Sequence, residues 1–267
     1  MLCGQNTAKN EQIFKRLIEL KGNYHLKPIS PEVSDFSLPI TALALAQTPY
    51  IANTLDKTPE QLIVRLDAVD CLTFIEYVLA ANRVRTDSPS KTYEQFKTYL
   101  RQLRYRDGHI SGYSSRLHYL SEWLAQAQKT GWITPVTTTT NATTLAKKIN
   151  FMSAHAAKYP ALKSATTLAA IVATEKKLSK QPICYWTSAQ MRIKHLQPGD
   201  IVVFVSTTAG LDYSHCGFAL RNNTMIHASQ TEKKVVESAQ NIADYVNAHK
   251  QFLGVAVFRT LFNKKNT

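Results

Sequence analysis

Apolar residues recur along this chain with two different periods, and the change from one to the other divides it. Over Asn10–Lys21, the residues Ile13, Phe14, Leu17, Ile18 and Leu20 fall into one stripe at helical spacing. Pro28 and Pro31 interrupt the next stretch. Pro39–Ala46 again suits a helix, ending before Thr48-Pro49 because a residue that precedes proline disfavours helical backbone. The clearest helical period lies at Asp67–Val84, where Leu72, Phe74, Ile75, Val78 and Leu79 recur and Asp67 and Asp70 stand where an N-cap belongs. A further helix is predicted over Ser115–Lys129, with Leu117, Leu120, Trp123 and Leu124 inward. Thr137–Thr144 is threonine-rich and reads as a linker or surface loop. Helical stretches are predicted after it, at Leu145–Lys158 and Thr166–Ser179.

The last third changes period. The turn Pro198-Gly199-Asp200 leads into Ile201–Val205, a continuous β-branched and aromatic run. Cys216–Leu220 and Thr224–Ala228 read as two strands around an Asn222-Asn223 turn, and Leu253–Phe258 as another. Helices first and antiparallel strands last is an α+β order. We therefore expect a single domain over 1–267, with a helical N-terminal part at 10–47 and a threonine-rich linker with a helical insertion at 137–180.

Composition narrows this picture. The 267 residues are 44% hydrophobic and 19% charged, enough for one sizeable core. The longest apolar run, Ile40–Ala46, is far short of the roughly 18 residues that span a bilayer. Met1–Glu11 is polar and holds no apolar export core, which leaves a cytosolic chain or one whose signal is missing. The net charge of +13, from 32 Lys and Arg against 19 Asp and Glu, draws polyanions without choosing among nucleic acid, acidic peptides and membrane surfaces. The chain lacks any recognised nucleic-acid motif, so no specific nucleic acid is expected. Cys3, Cys71, Cys184 and Cys216 are widely spaced and form no CxxC, so neither a zinc knuckle nor a redox pair is indicated. His109 and His118 have no third ligand spaced to join them. No metal and no cofactor are expected.

Three residues carry candidate chemistry. Cys71 falls in the first turn of the Asp67–Val84 helix, where the positive end of the helix dipole favours a thiolate. A small buried hydrophobe early in a helix would look the same. His215 opens a strand and could serve as a base; a lone histidine at a strand edge is more often structural. His227 lies in the second strand of the same hairpin, and here the turn decides. A two-residue turn puts His215 and His227 on opposite faces. A three-residue turn or a bulge sets Gly217 opposite His227 and brings 215, 217 and 227 to one face. Arg221-Asn222-Asn223 can supply the left-handed backbone of such a turn. Arg104–Tyr119 is a further oddity: three Arg, two His and three Tyr in 16 residues are too polar for a core. Arg grips carboxylates bidentately and Tyr stacks on sugar or peptide planes, so it reads as a cleft wall or as a basic surface loop.

Four segments, in order, resemble the NlpC-type family of papain-like cell-wall cysteine hydrolases: Thr48-Pro49-Tyr50, Asp70-Cys71 opening a helix, Leu196–Phe204, and His215–Leu220 with Ile226–Ser229 after it. Asn53–Asp56, Arg65–Leu79 and Arg104–Trp123 are more closely similar to the amidase-like branch of that superfamily, once a domain of unknown function. The resemblance runs over most of Thr48–Phe258. It implies a nucleophile helix packed on an antiparallel sheet, with Cys71 as nucleophile, His215 as base and His227 as its orienter. It matches Tyr50 to a tyrosine that lines the cleft. It also turns the arginine-rich stretch toward substrate, so that Asp70, Asp107, Arg116, His118 and Tyr119 become candidate contacts. Leu72-Thr73 stands where that family usually has Ser-Gly, and the Tyr-to-Cys spacing is longer, which bears on the bond cut rather than on the nucleophile.

The activity implied is that of an N-acetylmuramoyl-L-alanine amidase acting on muropeptides, in the periplasm or outside the cell, with a cytosolic recycling role also open. Its competitors are a γ-D-glutamyl-diamino acid endopeptidase of the same fold, a non-catalytic basic polyanion-binding module, and a thiol acyltransferase, in which histidine often precedes cysteine. The oligomeric state is not legible.

Overall fold

The computed structural model describes residues 2–25, 37–85 and 92–261. The helices are α1 (Leu2–His25), α2 (Ser37–Leu43), α3 (Cys71–Arg83), α4 (Thr92–Arg104), α5 (Leu120–Lys129), α6 (Phe151–Ala154), α7 (Ala165–Leu178), α8 (Ser188–Met191) and α9 (Ile242–Ala248). The strands are β1 (Ile133–Pro135), β2 (Thr143–Leu145), β3 (Ile183–Tyr185), β4 (Ile201–Ser206), β5 (Tyr213–Ala219), β6 (Met225–Ser229), β7 (Lys234–Glu237) and β8 (Phe252–Thr260). Strands β1-β8-β4-β5-β6-β7 form one sheet, antiparallel at every pairing, and β2-β3 a small second one. This is an α+β architecture. No helix among the described residues is long and apolar enough to cross a membrane. Pro28 and Pro31 lie outside the described residues.

Both faces of the sheet are covered, which is why β4 reads in the sequence as an unbroken apolar run. On one face, Phe74, Ile75 and Val78 of α3 pack with Val203, Cys216, Phe218, Ile226 and Ala256. On the other, Met191 of α8 and Ile242, Ala243 and Val246 of α9 cover Val202, Phe204, Ala219 and Val255. Side chains alternate along β5, so Cys216 faces α3 while His215 faces α9. A third cluster joins Tyr119 to Ile149, Met152, Leu162, Ile171 and Leu178. Through it the 137–180 stretch packs against the residues that enter α5.

Two expected helices are shorter than their periodicity suggests, and tertiary pairing is the reason. The helix expected from Ser115 begins at Leu120. Before it, the Leu117 amide donates to the Arg104 carbonyl (2.9 Å) and Arg116 pairs with Tyr105, so Leu117 is buried on extended backbone. The helix expected over Leu145–Lys158 is instead strand β2, paired with Ile183–Tyr185, then an extended run in which Ile149 pairs with Gly210, then the single turn α6. Thr137 is buried, and its Oγ1 accepts from the Val257 amide at 3.1 Å, which ties the threonine-rich stretch to the sheet. The α5 N-terminus has no side-chain cap of its own. Asp212, distant in sequence and fully buried, accepts from the Ser121 amide at 2.7 Å and fills that role.

Candidate active site

The start of α3 is fixed by a reciprocal cap. Asp70 Oδ1 accepts from the Thr73 amide at 2.8 Å, and Thr73 Oγ1 accepts from the Asp70 amide at 2.8 Å. The pairing is a capping box with threonine in place of the usual Glu or Gln. It makes Cys71 the first residue of the helix, where the unsatisfied amides and the helix dipole present positive charge. Cys71 is half-buried and free. Its sulfur lies against Cys216, whose thiol is pushed well up, first by burial and then by that contact. Tyr50, anchored by a backbone bridge to Val69, packs beside them; burial first and Cys71 second raise its hydroxyl, so it stays protonated.

The imidazoles come from the β5–β6 hairpin. Phe218 pairs with Ile226 and Ala219 with Met225, a register that sets Gly217 opposite His227 and puts 215, 217 and 227 on one face. The turn that permits this is Arg221–Asn223, with Asn222 and Asn223 both left-handed at φ 58° and 56°. His215 Nε2 and His227 Nδ1 share a hydrogen bond of 2.7 Å. The pair is enclosed by rings: Phe204 lies 5.5 Å from His215, Tyr245 5.5 Å from His227, and His249 stacks on Tyr245 at 4.1 Å. Burial, then His227 and His249, push His215 down to about 3. Burial, then His249, push His227 down to about 4. Both rings are therefore neutral at neutral pH. A β-bulge sits beside the base, since Phe204 pairs with His215 but Val205 with Tyr213, leaving Ser214 as the extra residue.

Cys71 and the imidazoles approach from opposite sides of β5. Among the described residues no hydrogen bond joins the thiol to His215. Two neighbours link them: Cys216 adjoins His215 in the chain, and Tyr245, stacked on His215 and edge-on to His227, has its hydroxyl raised first by burial and then by Cys71.

A cavity of about 210 Å³ borders the first turn of α3. Asp70, Leu72 and Thr73 form its helical side, and Tyr113, Arg116, His118 and Tyr159 face them. Its wall is rigid. The Arg116 guanidinium lies over Tyr113 at 5.0 Å, Tyr113 stacks on His118 at 4.2 Å, and His118 Nε2 donates to the Tyr113 carbonyl at 2.8 Å. Burial and Arg116 push His118 down to about 3. Below the wall, Arg104 and Glu76 form a buried ion pair at 2.7 Å. A second hollow, about 510 Å³, opens on the far side of the imidazoles, lined by His227, Ser229, Tyr245 and His249.

The cleft-wall reading of Arg104–Tyr119 thus divides. Arg116 and His118 line the cavity. Asp107 and Tyr119 do not: Asp107 is exposed and pairs with Lys129 at 2.9 Å, while Tyr119 is buried and donates to Glu175 at 2.7 Å. Sequence reasoning missed Tyr245, His249 and Phe252, which reach His215 from distant segments and carry no local signal. It also passed over Glu76, a carboxylate inside an apolar helical stripe. Among the described residues no cluster of three His, Cys, Asp or Glu could hold a metal.

Together these elements define an α+β protein in which a helix-opening thiol, a buried imidazole pair and an arginine-walled cavity converge on one sheet. The chain belongs to the N-acetylmuramoyl-L-alanine amidase-like (AmiA-like) family, which matches residues 41–255. No curated protein matches it. Among solved structures it is similar to an N-acetylmuramoyl-L-alanine amidase from Bacteroides uniformis, with 32% identity, a TM-score of 0.78, and coverage of 82% of this chain and 97% of that one. It is also similar to a Bacteroides fragilis protein named "putative xylanase", with 34% identity, a TM-score of 0.77, and coverage of 82% and 99%. A Legionella pneumophila protein at 19% identity and TM-score 0.65, covering 96% and 97%, shares the fold.

Proposed function

We propose that this protein is a peptidoglycan hydrolase, a cysteine amidase on a papain-like, NlpC-type core that cleaves the bond between the sugar's lactyl group and the first stem residue of a muropeptide. The observation that carries the reading is the 2.7 Å bond between His215 Nε2 and His227 Nδ1, buried beside the strand residue that touches Cys71. That bond occupies Nε2 of His215 and leaves Nδ1 as the nitrogen to receive a proton.

In this mechanism the thiol and His215, which share no hydrogen bond in this structure, come into contact in the substrate complex; the Cys71 thiol then passes its proton to His215 Nδ1 and the sulfur attacks the amide carbonyl. His227 holds the His215 ring in orientation. The amides that open α3 stabilise the oxyanion. His215 returns its proton to the leaving amine, and the same imidazole then deprotonates the water that releases the acyl group from sulfur. Tyr50, Asp70, Arg116 and His118 contact the substrate. The compartment follows the substrate: cell-wall peptides place the enzyme in the periplasm or outside the cell.

The test is mass spectrometry of purified muropeptides incubated with wild type and with Cys71→Ala. Release of intact stem peptide by wild type alone is the expected result. Cleavage inside the stem would move the bond to the endopeptidase reading. No change in any fragment would remove the cell-wall assignment.

A further inference from the structure

Arg116 presents a charge that the fold cannot leave alone. Its side chain is 8% exposed, and a guanidinium buried to that degree is costly without a carboxylate partner. Two carboxylates stand near it, and they differ. Glu60 is fixed: its side chain is 3% exposed, Tyr105 donates to its Oε1 at 2.8 Å, and Arg116 Nε stands 3.5 Å from that same oxygen without forming a hydrogen bond. Asp56 is the reverse. It lies on irregular backbone, its side chain is 57% exposed, and it holds Arg116 by one bond, Nη2 to Oδ1 at 2.7 Å. So exposed a partner loses little when it swings into water. Thr54 Oγ1, on the same loop and lining the same cavity, is buried with no hydrogen-bond partner.

We propose that Asp56 is a stand-in for a ligand carboxylate: on binding, a free carboxylate of the stem peptide, of the kind a γ-linked glutamate leaves on its α-carbon, displaces Asp56 from Arg116 and takes a second hydrogen bond from Thr54 Oγ1. The inference rests on the muropeptide reading above and adds to it a specificity-determining residue. The exchange replaces one negative charge with another, so the balance among Asp70, Glu76, Arg104 and Arg116 is unchanged. A primary amide at that position brings no charge. It leaves Asp56 in place and forgoes the arginine, or it strands a buried guanidinium. The cavity therefore selects free stem carboxylates against amidated ones.

The experiment measures binding of a muramoyl tripeptide with a free glutamate α-carboxylate, and of its α-amide, to full-length Cys71→Ala by calorimetry. Preference for the carboxylate is expected on the order of 10- to 100-fold. Asp56→Ala in that background tightens the carboxylate peptide several-fold by removing its competitor. Arg116→Gln abolishes the preference; where it does not fold, Thr54→Val weakens the carboxylate peptide and leaves the amide unchanged. Equal affinity for the two peptides, no binding of either, or looser binding of the carboxylate in Asp56→Ala overturns the proposal. Wild-type turnover separates the two ideas. Equal kcat/KM for both peptides removes the subsite and leaves the amidase standing. Preferential binding with no turnover removes the amidase and leaves the subsite.

Discussion

His215 and His227 are joined Nε2 to Nδ1 at 2.7 Å on one face of a hairpin, the two residues 9% and 2% exposed. In so dry a setting the bond sets which nitrogen of His215 carries a proton and where the ring points. Truncating His227 should therefore slow turnover without removing the nucleophile. His227→Ala is expected to lower kcat by roughly 10- to 100-fold with KM little changed, and His227→Asn, which keeps a side-chain partner for Nε2, to recover part of that loss. Steady-state kinetics on a muropeptide read both. A loss in KM alone would make His227 a binding residue.

Stability should fall with acid earlier than carboxylate titration alone would bring it down. An unfolded histidine takes up its proton near pH 6.5. His215 and His118 do so only near 3 in the folded chain, and His227 near 4. Between those values the unfolded chain binds more protons, so the stabilisation is complete above pH 6.5 and is lost as pH falls toward 3 to 4. Each ring contributes a slope of up to about 1.4 kcal/mol per pH unit. Urea unfolding at pH 7 and pH 5 should show a clear drop, and His118→Gln, which keeps a donor for the Tyr113 carbonyl, should flatten it. A pH-independent midpoint over that range would contradict the burial of these rings.

The parts of this site that were legible in the sequence are those set by local chemistry. Asp70 before an apolar stripe announces the cap that makes Cys71 the first residue of a helix. Two consecutive asparagines at 222 and 223 allow left-handed backbone, which makes the odd turn that brings 215 and 227 to one face one of two open readings in the sequence. The features that were not legible are set by partners far along the chain. Leu145–Lys158 has helical spacing, yet β3 and Gly210 draw its first half into extended pairing. The Ser214 bulge, the rings of Tyr245 and Phe252 around His215, and the Asp56–Arg116 pair arise only when distant segments meet.

The buried pair under the cavity is a second structural test. Arg104 Nε donates to Glu76 Oε2 at 2.8 Å, with both side chains 2% exposed. Removing one partner leaves an uncompensated buried charge, so Arg104→Met is expected to destabilise by about 3 to 5 kcal/mol. The double variant Glu76→Leu, Arg104→Met should recover much of that loss, because two apolar side chains strand no charge. Chemical denaturation of the three proteins measures the coupling. A double variant no more stable than the single one would show that Arg104 acts chiefly through its other bond, to the Ile63 carbonyl.

Gly217 offers the sharpest probe of the imidazole pair, because it touches the pair without belonging to it. A Cβ built at Gly217 would stand 3.0 Å from His227 Cβ and 2.9 Å from the Ile226 carbonyl oxygen. The approach to the carbonyl is closer than side chains tolerate and that to His227 is tight, and neither neighbour is a flexible tip, so one strand must shift by a few tenths of an ångström. The His227 ring moves with its Cβ, and the 2.7 Å bond to His215 Nε2 stretches or bends. Gly217→Ala is therefore expected to fold, to lose about 1 to 3 kcal/mol to overpacking, and to turn over at least roughly ten-fold more slowly. Cys71 should still be alkylated by iodoacetamide, since its helix is untouched. The imidazole NMR signals of His215 and His227 should shift while that of His118, across the cavity, stays in place. Unchanged turnover with shifted signals would mean that His227 does not orient the base, and its role as a positioning residue would fall.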